Sequence, residues 1–308
     1  GDSTMLIFPT PNPDGDDKNS WTTSPDPSAL NTYFGITDTY YFGVWQGEGK
    51  YSIINALPPP TLHGTYDAGW LLILPNGNYE MAWQSQSEAQ DITRAMNSAI
   101  AMAQPCIHDR GSGKTYILLD SSKNPYIANG LGGKLVYSVD RTSGRSIFAF
   151  PKSDGTTSHH SITGFQLVFP VDHSGNYDPS TNIQLHLGWH LGFRAGIYDC
   201  NYDGDSQSAT SVFSEGICMV CGPRYMYISI DDGNHNSGPN FTAVFAESTL
   251  GEHIMTRINL ASSMDSVGVF KCASDVGLSN QLNRTREFFG PVDISRLKIR
   301  LLDEYGRV

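Results

Sequence analysis

Leu135-Val-Tyr-Ser-Val-Asp-Arg-Thr-Ser-Gly-Arg-Ser-Ile-Phe-Ala-Phe150 is the stretch on which the fold class turns. Its ends, Leu135–Val139 and Ile147–Phe150, are short runs of aliphatic and aromatic residues, the composition of strands. Between them Asp140-Arg-Thr-Ser-Gly144 has turn chemistry, with Gly144 free to take positive φ. The segment reads as a β-hairpin.

Comparable runs recur on both sides of it. They are Leu71–Leu74, Tyr116–Leu119, Phe165–Phe169, Leu185–Leu187, Tyr225–Ile230, Phe241–Phe245, His253–Ile258, Val267–Lys271 and Leu297–Leu301. One helix interrupts them. Ser85-Gln-Ser-Glu88 is a capping box, and Ala89, Ile92, Met96, Ala99 and Ala103 follow on one face until Pro105 stops the run. The spacing predicts a helix over about 85–103, with Met96 as core filling. Many short strands and one clear helix predict a mainly β (β-rich α+β) fold, with a jelly-roll or sandwich-like core carrying insertions.

Composition agrees. At 39% hydrophobic and 17% charged, the 308 residues can bury a sizeable core and are not a disordered chain. The 31 Gly, 17 Pro and 15 Tyr favour strands and tight turns over a helical bundle. Net charge is −11 and the 20 Lys and Arg are scattered, so no nucleic-acid partner is expected: displacing phosphate counterions takes clustered cations. The most apolar stretch, Trp70-Leu-Leu-Ile-Leu74, ends at Pro75, far short of the roughly 18 residues that span a bilayer. No basic flank followed by an apolar run opens the sequence, so no signal peptide is expected in it. Contact with an inner membrane has no support in the sequence. Cys106, Cys200, Cys218, Cys221 and Cys272 are odd in number and irregular in spacing, which suits assembly in a reducing cytoplasm better than a disulfide framework.

Residues 1–65 differ from the rest. Asn12-Pro-Asp-Gly-Asp-Asp17, Ser24-Pro-Asp-Pro-Ser28 and Leu57-Pro-Pro-Pro60 are turn-forming or stiffly extended, around the aromatic runs Tyr33-Phe34 and Tyr40-Tyr-Phe-Gly-Val-Trp45. The reading is an extended, Pro- and aromatic-rich arm ordered by docking, in front of a β-rich body over 66–308. Edge strands folded back on the same domain are the alternative.

Motifs with possible chemistry are each incomplete. Gly111-Ser-Gly-Lys-Thr115 lacks the first Gly of a phosphate loop, that position being His108, and a strand rather than a helix follows, so it reads as a turn. Asp199, Asn201, Asp203 and Gly204 match half of a calcium loop, with Asp205 beside them. Position twelve is Thr210 instead of Glu, which leaves the closing ligand missing. Cys218 and Cys221 have the spacing of half a zinc knuckle without a second pair, so two buried thiols are expected unless His235, Cys200 or Cys272 completes a site through the fold. His159-His160 has no third ligand at useful spacing. Asn240 and Asn283 head glycosylation sequons that are expected to stay bare. In Leu187-Gly-Trp-His-Leu-Gly-Phe-Arg194, apolar bulk alternates around Gly188 and Gly192, which permit close backbone approach, and Arg194 is suited to an interface.

The chain closes on Glu287-Phe-Phe-Gly-Pro-Val-Asp-Ile-Ser-Arg-Leu-Lys-Ile-Arg-Leu-Leu-Asp-Glu-Tyr-Gly-Arg307. Leu297, Ile299 and Leu301 alternate with Lys298 and Arg300, the period of a strand with one buried and one wet face. A turn at Asp303-Glu-Tyr-Gly306 calls for a return strand, so the body is expected to be truncated at Val308. Phe289 to Arg307 resembles the closing motif of a family of virion proteins of nucleocytoplasmic large DNA viruses. Ile73-Leu-Pro-Asn-Gly-Asn-Tyr79, Leu187 to Arg194 and Pro223-Arg-Tyr-Met-Tyr-Ile-Ser-Ile-Asp-Asp232 fit in the same order. The resemblance implies a structural capsid or minor capsid protein of the virion, assembled in host cytoplasm. Its partners would be the major capsid protein and other minor capsid proteins, with no catalytic, cofactor-binding or metal site to carry over. The alternative is a carbohydrate-binding or glycan-processing β-protein using Trp45, Trp83 or Trp189 as a stacking platform.

Overall fold

The computed structural model describes residues 3–9, 20–21, 34–36, 40–47, 50–54, 66–77, 79, 91–126, 130–149, 164–201, 211–220, 225–232, 254–259, 290–291, 293–303 and 306. Strands make up 49% of it and helices 11%, the β-rich class expected. β1 (Ser3–Pro9), β2 (Ser20–Trp21), β3 (Tyr41–Gly47), β4 (Lys50–Ile54) and β5 (Tyr66–Leu74) lead to helix α1 (Ile92–Ala101). Two hairpins follow, β6 (Gln104–Asp109) with β7 (Thr115–Leu119), and β8 (Val136–Val139) with β9 (Arg145–Ala149). β10 (Gly164–Val168), a 3-10 turn (Ile183–Leu185), the short helix α2 (Leu187–His190), β11 (Ile197–Asn201) and β12 (Ser211–Ile217) come next. β13 (Tyr225–Asp231), β14 (Ile254–Asn259) and β15 (Lys298–Leu302) end the series. The chain divides into two compact units, Gly1–Val220 and Cys221–Val308.

In the first unit one wide antiparallel sheet runs β11-β10-β1-β5-β6-β7-β3-β4, with β2 also on β5. Both faces of its centre are buried. Met5 and Ile7 of β1, with Ala68, Trp70 and Leu72 of β5, point into one core; Leu6, Phe8 and Leu71 point into the other. That double burial explains why these strands are continuous apolar runs rather than alternating ones. Ile92, Met96, Ala99 and Ile100 of α1 pack into the first core with Tyr137 and Phe148 of the smaller sheet β12-β9-β8. Nine strands share the larger sheet, and these registers do not establish a jelly roll's two facing four-stranded sheets.

Asn97 fastens α1 to the hairpin. Its side-chain amide donates to the carbonyl of Tyr137 at 2.8 Å, and its oxygen accepts from the Tyr137 amide at 2.9 Å. A helix side chain thus plays the part of a neighbouring strand and caps the outer edge of β8.

Several expectations need correction. Residues 1–65 are not an arm where they are described, since β1 lies inside the sheet between β10 and β5, and β3 pairs with both β4 and β7. The helix cap is Asp91, whose extended backbone (φ −66°, ψ 117°) ends the preceding segment and whose carboxylate accepts from the Thr93 amide; Ser85 and Glu88 lie outside the described residues. Pro105 is not the stop either. The helix ends at Ala101 with Met102 as its cap, and Pro105 sits in β6 opposite Trp70. Leu185–Leu187 is not a strand but the junction between the 3-10 turn and α2, set by Asn182 capping the Gln184 amide.

In the second unit β13 is central, with β14 and β15 antiparallel on either side. Ile230 faces Ile299 and Ile228 faces Leu301 in the β13–β15 register. The expected strands Phe241–Phe245 and Val267–Lys271 lie outside the described residues. β15 departs from its expected one-face burial: Lys298, Ile299, Arg300 and Leu301 are all exposed, and Leu302 alone is buried.

Candidate functional site

Three places gather polar or exposed groups that could act on something. The first is the β6–β7 hairpin, where Gly111-Ser-Gly-Lys-Thr115 forms the turn that the pattern predicted. The Asp109 carboxylate accepts from the Gly111 amide (2.9 Å) and the Ser112 hydroxyl (2.6 Å), and Gly113 takes φ +71°. Burial pushes the Asp109 carboxyl up, but these hydrogen bonds outweigh it and hold it below the ordinary value. No helix follows to supply a phosphate site; Thr115 enters β7 directly.

Thr115, His108 and Asp67 meet in this corner. His108 lies opposite Asp67 in the β5–β6 register, and its Nδ1 is 2.9 Å from the Thr115 hydroxyl. On paper that is a nucleophile, a base and an acid. Thr115 is fully buried and donates its only hydroxyl proton to the Gly175 carbonyl. Nδ1 of His108 must therefore be the donor between them. Asp67 is committed to a two-pronged ion pair with Arg110. The trio is a structural tie between the hairpin and the loop at Gly175.

Burial lowers the His108 pKa below its ordinary 6.5; Asp67 and Asp109 oppose the shift and Arg110 reinforces it. Stability from this residue is full above about pH 6.5 and is lost as pH falls, because the unfolded chain takes up the proton first. Thermal melts from neutral pH to about pH 5 are expected to fall less steeply in His108→Gln than in the parent. Parallel curves would show the burial is not felt.

The second place is the turn after α2. Tyr198 accepts from the amides of Arg194 (2.8 Å) and Ala195 (2.7 Å) and donates to Glu215 at 2.8 Å, joining the turn after α2 to β11 and β12. Burial pushes the Glu215 carboxyl up, yet the Tyr198 hydroxyl and the Arg194 amide hold it below the ordinary range. The exposed Arg194 guanidinium stacks on Trp189, 4.1 Å from the ring centroid. Gly188 and Gly192 do allow the close approach expected of them. A Cβ at Gly188 would lie 2.5 Å from the Phe169 ring, and one at Gly192 would lie 2.3 Å from the Gly216 carbonyl oxygen.

Trp45 is buried in the second core and Trp189 lies beneath Arg194, so neither is an open stacking face for sugar; Trp83 lies outside the described residues. Cys106, Cys200 and Cys218 are buried thiols, and burial drives the Cys106 thiol far above its ordinary pKa. Asp199 and Asn201 lie in β11, with the Asp199 carboxylate accepting from Gln166 at 2.7 Å. Asp203, Asp205, Cys221, Cys272, His159, His160, His235, Asn240 and Asn283 lie outside the described residues. Among the described residues, no group of three His, Cys, Asp or Glu side chains could hold a metal ion. No helix among them is long and apolar enough to cross a membrane.

The third place is β15 and the residues before it. From Asp293 to Leu301 every residue is exposed, with Leu297 at 52%, Ile299 at 63% and Leu301 at 52%. No family model, curated protein or solved structure matches the chain. Isolated apolar residues on a surface are ordinary, but a strand wet on both faces has given up the burial that normally holds it in a sheet. Sequence reading found this strand but missed its exposure, since alternation alone implies that one face has a cover.

Proposed function

We propose that the chain is a structural minor capsid protein of a large icosahedral DNA virus, cementing or scaffolding the shell through protein–protein contacts with the major capsid protein and other minor capsid proteins. One observation carries the reading. The closing motif on which the virion resemblance rests is also the stretch that stands exposed from Asp293 to Leu301 with aliphatic side chains outward. Exposed aliphatic side chains beside Arg suit a contact surface, because interface cores favour large apolar side chains with Arg. A β-rich body of −11 net charge suits adhesion to protein better than to genome.

The test is to fractionate purified particles and locate this protein by mass spectrometry. Recovery in the shell fraction with the major capsid protein is expected. Recovery from infected-cell cytosol alone overturns the reading.

A further inference from the structure

The geometry points to the peptide link between Asn76 and Gly77 as a self-modification site, where the Asn76 side-chain amide is lost and an aspartyl or isoaspartyl linkage takes its place without an enzyme. β5 ends at Leu74, and Pro75, Asn76 and Gly77 beyond it are all exposed. No described residue bonds the Asn76 side chain or holds the Gly77 amide in a hydrogen bond. Tyr79 closes the turn by donating its hydroxyl proton to the Pro75 carbonyl, and its ring lies beside Gly77. The dipeptide is the apex of a short closed loop, with both reacting groups in water. Asn is among the chemically labile side chains. Glycine after it leaves the attacking nitrogen unscreened and its backbone free to turn.

The Gly77 nitrogen attacks Cγ of Asn76, forming an N–Cγ bond. The Cγ–Nδ2 bond breaks, and Nδ2 leaves as ammonia with the proton that the Gly77 amide gives up. Water then opens the cyclic imide. Addition at Cγ breaks the new bond and leaves an ordinary aspartyl peptide. Addition at the main-chain carbonyl of residue 76 leaves the chain running through Cγ, one carbon longer. Either product adds a negative charge to a chain already at −11, two residues past the Leu74–Ser3 pair of β5 and β1.

The same two residues recur at Asn129-Gly130, where the attacking nitrogen belongs to a packed residue. Gly130 is buried, and a Cβ on it would lie 2.1 Å from the Ala101 carbonyl oxygen and 3.1 Å from the Ala103 nitrogen. The next amide, Leu131, donates to the Ile100 carbonyl at 3.0 Å. Asn129 lies outside the described residues, but its reaction needs Gly130 to swing away from the end of α1. The fold therefore selects one of two identical dipeptides.

This site does not depend on the shell reading, and neither fails with the other. The 308-residue chain is held in mildly alkaline buffer made with heavy-oxygen water, then digested and mapped by mass spectrometry. The peptide containing Asn76 is expected to lose its amide, take up one solvent oxygen and split into two chromatographic forms, the aspartyl and isoaspartyl products. The peptide containing Asn129 is expected to stay intact over the same interval. In guanidinium both should convert alike, which assigns the difference to the fold. Gly77→Val is expected to lose the conversion at Asn76, because a branched side chain screens the nitrogen; if that variant misfolds, the folded and unfolded parent chains still give the comparison. Three results each overturn the proposal. They are an intact Asn76 peptide while the unfolded chain converts, conversion at Asn129 as fast as at Asn76 in the folded chain, and a folded Gly77→Val variant that converts like the parent.

Discussion

Deleting residues 1–9 is expected to abolish cooperative folding of the Gly1–Val220 unit. Met5, Leu6 and Ile7 are at most 2% exposed and Phe8 is 8% exposed, split between the two cores on either side of the large sheet. Burying a side chain of this size is worth about 1.5–3 kcal/mol, so the four together contribute roughly 6–12 kcal/mol. A domain's whole stability is about 5–15 kcal/mol. Two ladders are lost as well, to β10 and to β5, leaving the inner edges of both strands unpaired in the middle of a sheet. Differential scanning calorimetry of the truncated chain should show no unfolding peak from this unit. An arm that docks only on other proteins would come off without moving the midpoint, so a melt like that of the parent chain would refute the placement of β1.

That contrast marks where the sequence was opaque. Met5-Leu-Ile-Phe8 is a short apolar run beside a long Pro- and Asp-rich stretch, and its partners are β5 and β10, the latter some 160 residues away by the Leu6–Val168 register. Pairing across such a distance leaves no local trace, whereas the β8–β9 hairpin is written in contiguous residues and was legible to within two residues at each strand boundary. β6 was missed for a different reason. Pro105, His108 and Asp109 make it look unlike a buried strand, yet all six of its residues are buried, with His108 and Asp109 paired to Thr115, Gly111 and Ser112. Around Leu187 the period itself was ambiguous. Leu187, Trp189, Leu191 and Phe193 alternate as in a strand, but Leu187 and Leu191 are also four apart, and the helical spacing won because Gly192 can end a helical turn. Of the candidate sites, the phosphate-loop decoy was readable because its defect was a missing residue. The exposure of β15 was not, because exposure belongs to the neighbours.

Gly192→Ala is expected to destabilise the first unit by about 2–5 kcal/mol, roughly 10 °C in thermal midpoint. The Gly192 amide donates to the Trp189 carbonyl (3.1 Å) and the Phe193 amide to the Gly188 carbonyl (2.8 Å), the paired bonds of a Schellman ending with Gly192 just past the helix. Its φ of +96° costs an L side chain about 1–2 kcal/mol. The larger part is steric. The Gly216 amide donates to the Gly192 carbonyl at 2.8 Å, drawing β12 so close that an added Cβ would stand 2.3 Å from the Gly216 carbonyl oxygen. Backbone must move to admit it, and the bonds from Tyr198 to Arg194, Ala195 and Glu215 tie that backbone to β11 and β12. Gly133→Ala separates the two contributions, because Gly133 has φ +74° with nothing within 4 Å of a new Cβ. It should lose only the conformational part, about 1 kcal/mol. Chemical denaturation of both variants reads the difference, and equal losses would mean that β12 is not seated on this turn.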